Sequence, residues 1–240
     1  MTTTKKTFVF VAGSWHGAWC WYKVLPRLEA LGHGAIAVDL PGHGTAWKAA
    51  KEVTLQSYVE AVTTALDRQA DPVVLVGHSR GGIVISQVAE QRSEKIDHLV
   101  YLSAFLIPNG ESMLQTATTD AESLIVANLV FDEAGGTHML KREAFREALY
   151  ADCSDEDVAL ASMLLTPEPN APVSTPLRLG AKFERVPRIY VECRRDRGVS
   201  PAVQKKMQAR VGVTKSLALD TGHSPFFSAP AELVRLIIDG

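Results

Sequence analysis

Apolar residues fall in short unbroken runs at positions 8–12, 35–38, 73–76 and within 95–105. Runs that do not alternate with polar residues read as strands covered on both faces, the pattern of a parallel sheet between two helical layers. Between them the period changes. Val24, Leu25, Leu28 and Leu31 recur at helical spacing, as do Tyr58, Val59, Val62 and Leu66, and then Ile83, Val84, Val88 and Ala89. Pro26 disturbs the early turns of the first of these helices, and Gly32 ends it. From 108 to about 184 the rhythm is lost. Helical patterns at 120–130, 141–150 and 154–165 are separated by Gly135-Gly136 and by a loose proline-rich run at 166–172. Ser154 and Asp157 open the third as a capping box. Alternation resumes with a strand at 188–193, a helix from Ser200-Pro201, a strand at 216–219 and a closing helix bearing Leu233, Leu236 and Ile237.

The fold class expected is therefore α/β, a doubly wound, mostly parallel sheet of about six strands with a helical cap inserted after the fourth. The core comprises residues 1–107 and 185–240, and residues 108–184 form the cap within the same domain. In such a sheet ligands bind beyond the carboxyl ends of the strands, where Gly13, Asp39, Ser79 and Phe105 all fall.

One corner stands out. The run from Pro72 to Val76 stops at Gly77, and helical spacing starts after Gly82, so Gly77-His78-Ser79-Arg80-Gly81 links a buried strand to a helix. So tight a turn strains its central residue and crowds neighbouring chain, which calls for the small residues found two positions on either side. Ser79 is then held proud of the sheet at a helix N-terminus, where the dipole favours developing negative charge.

Composition narrows the partners. With 240 residues, 46% hydrophobic, 22% charged and a formal charge of −2, the chain has one sizeable core and no electrostatic footprint for nucleic acid or an anionic membrane. The apolar run at 8–12 is too short for a signal-peptide core and no stretch reaches membrane-span length, so the chain reads as cytoplasmic. Cys20, Cys153 and Cys193 are odd in number and far apart, which argues against a disulfide framework or a zinc site.

A serine hydroxyl becomes a useful nucleophile near neutral pH only beside a base. His223, in a glycine-containing loop after the last strand, is the best-placed histidine. His16 and His43 are reserves, and His78 should point away from Ser79 around the corner. An acid must fix the imidazole tautomer, and Asp196, directly after the strand at 188–193, ranks ahead of Glu192 and Asp220. The oxyanion of a tetrahedral intermediate needs two N–H donors, for which the Arg80 and Ser14 amides are candidates. Trp15 and Phe105 suggest an apolar or aromatic pocket. Phe226 and Phe227 read as core.

The segments 13–23, Asp39-Leu40-Pro41-Gly42-His43-Gly44 and Gly77-His78-Ser79-Arg80-Gly81-Gly82, together with His223, resemble the α/β-hydrolase superfamily. Within it they look like the branch of plant methyl esterases, hydroxynitrile lyases and bacterial pyrethroid-hydrolase-type esterases, over nearly the whole chain. The order Ser79, Asp196, His223 is the one that family uses. The resemblance implies a serine esterase acting on small ester substrates, with no cofactor and no metal. Amide or carbamate cleavage would use the same residues, and a non-catalytic ligand receptor could keep the fold. Two positions depart from the pattern. Ala12-Gly13 replaces the family's usual His-Gly. The cyanogenic lyases carry threonine at the Gly13 position and lysine after the catalytic histidine, where this chain has Ser224, which disfavours the lyase reading.

Overall fold

A computed structural model describes residues 5–240; Met1 to Thr4, the start of the polar lead-in, lie outside the described residues. In chain order the strands are β1 (Thr7–Val11), β2 (Gly34–Val38), β3 (Val73–His78), β4 (Ile96–Leu102), β5 (Leu129–Asp132), β6 (Thr137–Leu140), β7 (Glu168–Pro169), β8 (Arg188–Cys193) and β9 (Lys215–Leu219). Six of them form one parallel sheet in the order β2-β1-β3-β4-β8-β9, as the unbroken apolar runs predict. Successive side chains of the central strands enter opposite layers. Val9, Val11 and Leu75 join one apolar cluster, whereas Phe8, Phe10, Val74 and Val76 join the other. Every residue of β3 is buried, because helices cover both faces.

The chain leaves β1 toward β2 on one side and returns to β3 on the other, so the sheet order reverses between β1 and β3. Their carboxyl ends carry Gly13 and Ser79, at the crevice where such sheets bind ligands. Pro26 does not interrupt a helix. It sits in the first turn of a shorter one, Leu25–Ala30, where its missing N–H costs nothing.

Glycines make the corner after β3 possible. A Cβ on Gly81 would stand 2.7 Å from the Val11 carbonyl oxygen, and one on Gly77 would stand 2.8 Å from the Gly81 carbonyl oxygen. Both obstacles are backbone and cannot swing aside. Gly81→Ala is expected to lower unfolding free energy by about 2 kcal/mol, read as a shifted urea midpoint with unchanged slope.

The segment between β4 and β8 is not purely helical. Helices at Phe145–Leu149 and Asp155–Leu164 lie where the periodicity puts them, and Ser154 caps the second through the Asp157 amide at 3.2 Å. The helix expected at 120–130 is absent. That stretch holds only a single turn, Val126–Asn128, and runs into β5, which pairs antiparallel with β6. Val130 and Phe131 favour extended chain, and Asp132 closes the turn by accepting from the Gly135 amide at 2.9 Å while Gly136 takes φ +69°. β7 adds a third strand from within the proline-rich run, pairing His138 with Glu168. Among the described residues, no helix is long and apolar enough to cross a membrane.

Candidate active site

Ser79 takes φ +50°, in the left-handed region that a non-glycine residue rarely occupies. The strain is fixed from several sides. The Ser79 amide donates to the Leu102 carbonyl at 3.3 Å, and its own carbonyl accepts from the Gly82 and Phe105 amides, each at 3.0 Å. Gly13 packs directly against it, since a Cβ there would lie 2.9 Å from the Ser79 Cβ and 2.9 Å from His78 Nδ1. The serine borders a cavity of about 250 Å³ walled by Ser14, Trp15, Phe105 and apolar residues of the inserted segment, including Met113, Leu129 and Phe131.

Asp196 and His223 are brought together. The imidazole Nδ1 lies 2.7 Å from Asp196 Oδ2, and both side chains are buried. Asp196 is held on every side, because its Oδ1 accepts from the Gly198 and Val199 amides at 2.6 and 2.9 Å, and Ser103 donates its hydroxyl to Oδ2. With Oδ2 as acceptor, His223 Nδ1 carries the proton and Nε2 is left as the basic nitrogen. The ring rests on Gly198, another residue of the cavity wall, where a Cβ would come within 3.0 Å of it. Behind it, the His78 ring lies 4.6 Å away, centroid to centroid, and its Nε2 donates to the His223 carbonyl at 2.8 Å. His78 therefore turns from Ser79 into the core and supports the histidine loop. Neither Glu192 nor Asp220 bonds His223: Glu192 accepts from Gln208 at 2.7 Å, and Asp220 pairs with Arg195 at 3.4 Å.

Among the described residues, neither the Ser14 nor the Arg80 amide donates to another backbone carbonyl. Both flank Ser79, one on the loop after β1 and one at the start of the helix Gly81–Arg92. Asp39, at another strand end, does not face the cavity. Its carboxylate instead ties two loops by accepting from Ala18 at 2.6 Å and Thr45 at 2.9 Å.

The reserve histidines have other occupations. His16 donates from Nδ1 to the Ser14 carbonyl at 2.8 Å and accepts the Tyr150 hydroxyl at Nε2, 2.6 Å away, a fully satisfied neutral ring. Burial, with smaller contributions from neighbouring positive charge, pushes its pKa down to about 3. His78 is also lowered, again chiefly by burial and then by His223. Folded pKa values below the unfolded value of 6.5 mean that this stability is complete above pH 6.5 and is lost as pH falls from there, for His16 toward about 3. Unfolding free energy is expected to drop by on the order of 3 kcal/mol between pH 7 and pH 5, measured by urea titration. A flat profile over that range would mean that both rings protonate in the folded protein.

His43 is satisfied at long range rather than within its turn, by Thr166 at 2.9 Å and Tyr58 at 3.0 Å. It belongs to a buried polar cluster that sequence reasoning missed, centred on Glu168. Burial would raise this carboxyl, but Arg80 and then His43 outweigh that and bring it to about 2. Its partners are the Arg80 guanidinium at 3.1 Å, His43 Nε2 at 3.2 Å, the Tyr58 hydroxyl at 3.2 Å and the Trp15 amide at 3.0 Å. The available signal was Arg80 itself, a guanidinium following the corner serine in an otherwise apolar layer, which has to find a buried acid.

The described residues contain no group of three or more His, Cys, Asp or Glu side chains able to hold a metal ion. A strained serine after a central strand of a parallel sheet whose last two strand ends carry a hydrogen-bonded Asp–His pair is an arrangement seen in one large group of enzymes. The model of the alpha/beta hydrolase family matches residues 8–236. This chain belongs to the α/β-hydrolase family. Within the family it is 31% identical to putative methylesterase 14, chloroplastic, of Arabidopsis thaliana, across 98% of this chain and 71% of that protein. It is also 31% identical to salicylic acid-binding protein 2 of Nicotiana tabacum, across 98% and 96%. Among solved α/β hydrolases, a pyrethroid hydrolase from Sphingobium faniae superposes with a TM-score of 0.89 at 27% identity, covering 98% of this chain and 97% of that one.

Proposed function

We propose that this α/β hydrolase cleaves carboxylic esters of small, neutral, apolar or aromatic substrates through an acyl-enzyme on Ser79. The observation that carries the reading is the 2.7 Å Asp196–His223 hydrogen bond beside a cavity bordered by a strained serine. Its similarity to methylesterases supports ester cleavage.

Ser79 attacks the ester carbonyl as His223 Nε2 takes its proton. The imidazolium that forms is stabilised by Asp196, which stays ionised. Negative charge on the carbonyl oxygen is met by the Ser14 and Arg80 amides, aided by the N-terminal end of the helix Gly81–Arg92. His223 then protonates the leaving alcohol. Water, deprotonated by the same ring, releases the acid in a second round.

The cavity wall supports neutral substrates. Among the described residues it includes the acidic residues Asp120 and Glu133 and no lysine or arginine. A free carboxylate on the substrate would meet like charge in a mostly apolar space, with no cation to offset the loss of water. The kcat/KM for p-nitrophenyl butyrate is expected to exceed that for p-nitrophenyl hemisuccinate by roughly tenfold or more. Equal rates would contradict the neutral-substrate reading. A lyase reading gains no support, because a side chain at Gly13 would collide with Ser79 and Ser224 places no charge beside His223.

A further inference from the structure

We propose that Glu168 is a positioning residue for the oxyanion hole, through which docking of the inserted segment sets both amides that receive the substrate oxygen. This rests on the Ser79 reading above.

The inserted segment grips the loop after β1 at three points around one residue, Trp15. Glu168 Oε2 accepts the Trp15 amide at 3.0 Å, the Thr166 amide donates to the Trp15 carbonyl at 3.0 Å, and the Trp15 indole donates to the His138 carbonyl at 3.2 Å. Trp15 is held at φ +67°, a conformation its side chain does not favour and that these contacts compensate. With its amide taken by Glu168, the amide left to face the cavity on this loop is that of Ser14.

The other oxyanion donor is held by the same carboxylate. Glu168 Oε1 lies 3.1 Å from Arg80 Nε, and Arg80 Nη2 donates to the Gly13 carbonyl at 2.9 Å. The guanidinium lies 4.7 Å over the Tyr58 ring, whose hydroxyl in turn donates to Glu168. The Arg80 side chain thus bridges its own backbone, which offers one amide, to Gly13, whose neighbour offers the other.

A stability role alone would not require this arrangement. A buried ion pair is no more stabilising than well-packed apolar residues of similar volume. The carboxylate is fully buried and does not itself line the cavity, so it is placed to act through the two backbone segments and not on the substrate. Oxyanion donors contribute mainly in the transition state, so a displaced pair should lower kcat and leave ground-state binding in place.

The test compares wild type, Glu168→Gln, the double variant Arg80→Met/Glu168→Met and Ser79→Ala on p-nitrophenyl butyrate, with phenylboronic acid as a tetrahedral probe of Ser79. Glu168→Gln is expected to lose on the order of 100-fold in kcat with KM within about threefold, and to bind phenylboronic acid more weakly in the same proportion. The double variant leaves no charge buried alone and serves where the single one does not fold. It should melt near wild type and still show the kcat loss. Unchanged kcat in a folded variant, loss confined to KM, unweakened boronate binding, or failure of both variants to fold would each overturn the proposal. Turnover surviving Ser79→Ala would overturn the proposed function and this inference with it, whereas Ser79-dependent turnover that is indifferent to Glu168 would overturn this inference alone.

Discussion

Ser79→Ala is expected to lower kcat toward p-nitrophenyl butyrate by on the order of 10⁶-fold, with KM within about threefold of wild type. The size follows from the role, since without the hydroxyl no acyl-enzyme forms and only the polarised cavity remains to assist water. Stability should change little. The Ser79 hydrogen bonds that fix the corner are made by its backbone amide and carbonyl, which alanine keeps. Alanine inherits the φ of +50° with the same Cβ, so the strain is the same in both proteins. A variant retaining more than about a tenth of wild-type kcat would remove Ser79 from the chemistry.

Asp196→Asn is expected to cost ~10⁴-fold in kcat at neutral pH while leaving the fold intact. The geometry gives the reason. The Gly198 and Val199 amides both donate to Oδ1, so an asparagine must present its carbonyl oxygen to them and its amide nitrogen to His223. That nitrogen donates where the carboxylate accepted. His223 Nδ1 then becomes an acceptor, and the proton moves to Nε2, the atom that has to take it from Ser79. The carboxamide would also face the Ser103 hydroxyl, which can rotate to accept from it. Steady-state rates together with the imidazole nitrogen shifts of the two proteins would show the tautomer change directly. A normal rate in Asp196→Asn would point to another acid.

The sheet was legible because both of its faces are covered, which leaves unbroken apolar runs that no amphipathic helix would carry. The corner at Ser79 was legible for a related reason, since backbone contacts at Gly77 and Gly81 admit no Cβ and therefore restrict residue type. Asp196 and His223 could be located by the ends of the strands that deliver them, so their juxtaposition followed from strand order more than from local pattern. The inserted segment was less readable. Its strands are short, the first of them is mostly exposed, and the run ending in Val130 and Phe131 satisfies a helical period about as well as an extended one. The Gly135-Gly136 pair was the better guide, marking a hairpin. Glu168, between prolines, looked like part of a linker because edge strands tolerate proline and the ladder it joins is only two residues long. The link from His43 to this cluster was hidden for another reason: its partners Thr166 and Glu168 lie more than a hundred residues away, and no spacing rule connects them.

The central claim is covalent, and mass spectrometry of the trapped intermediate tests it most directly. Wild type would be mixed with p-nitrophenyl butyrate, quenched in acid within the first turnover, digested and sequenced. The expected result is one butyryl group per chain, on Ser79 of the peptide containing Gly77-His78-Ser79-Arg80, with a matching burst of p-nitrophenol that Ser79→Ala lacks. Rapid turnover with the acyl group on another residue, or an equal burst from Ser79→Ala, would contradict it.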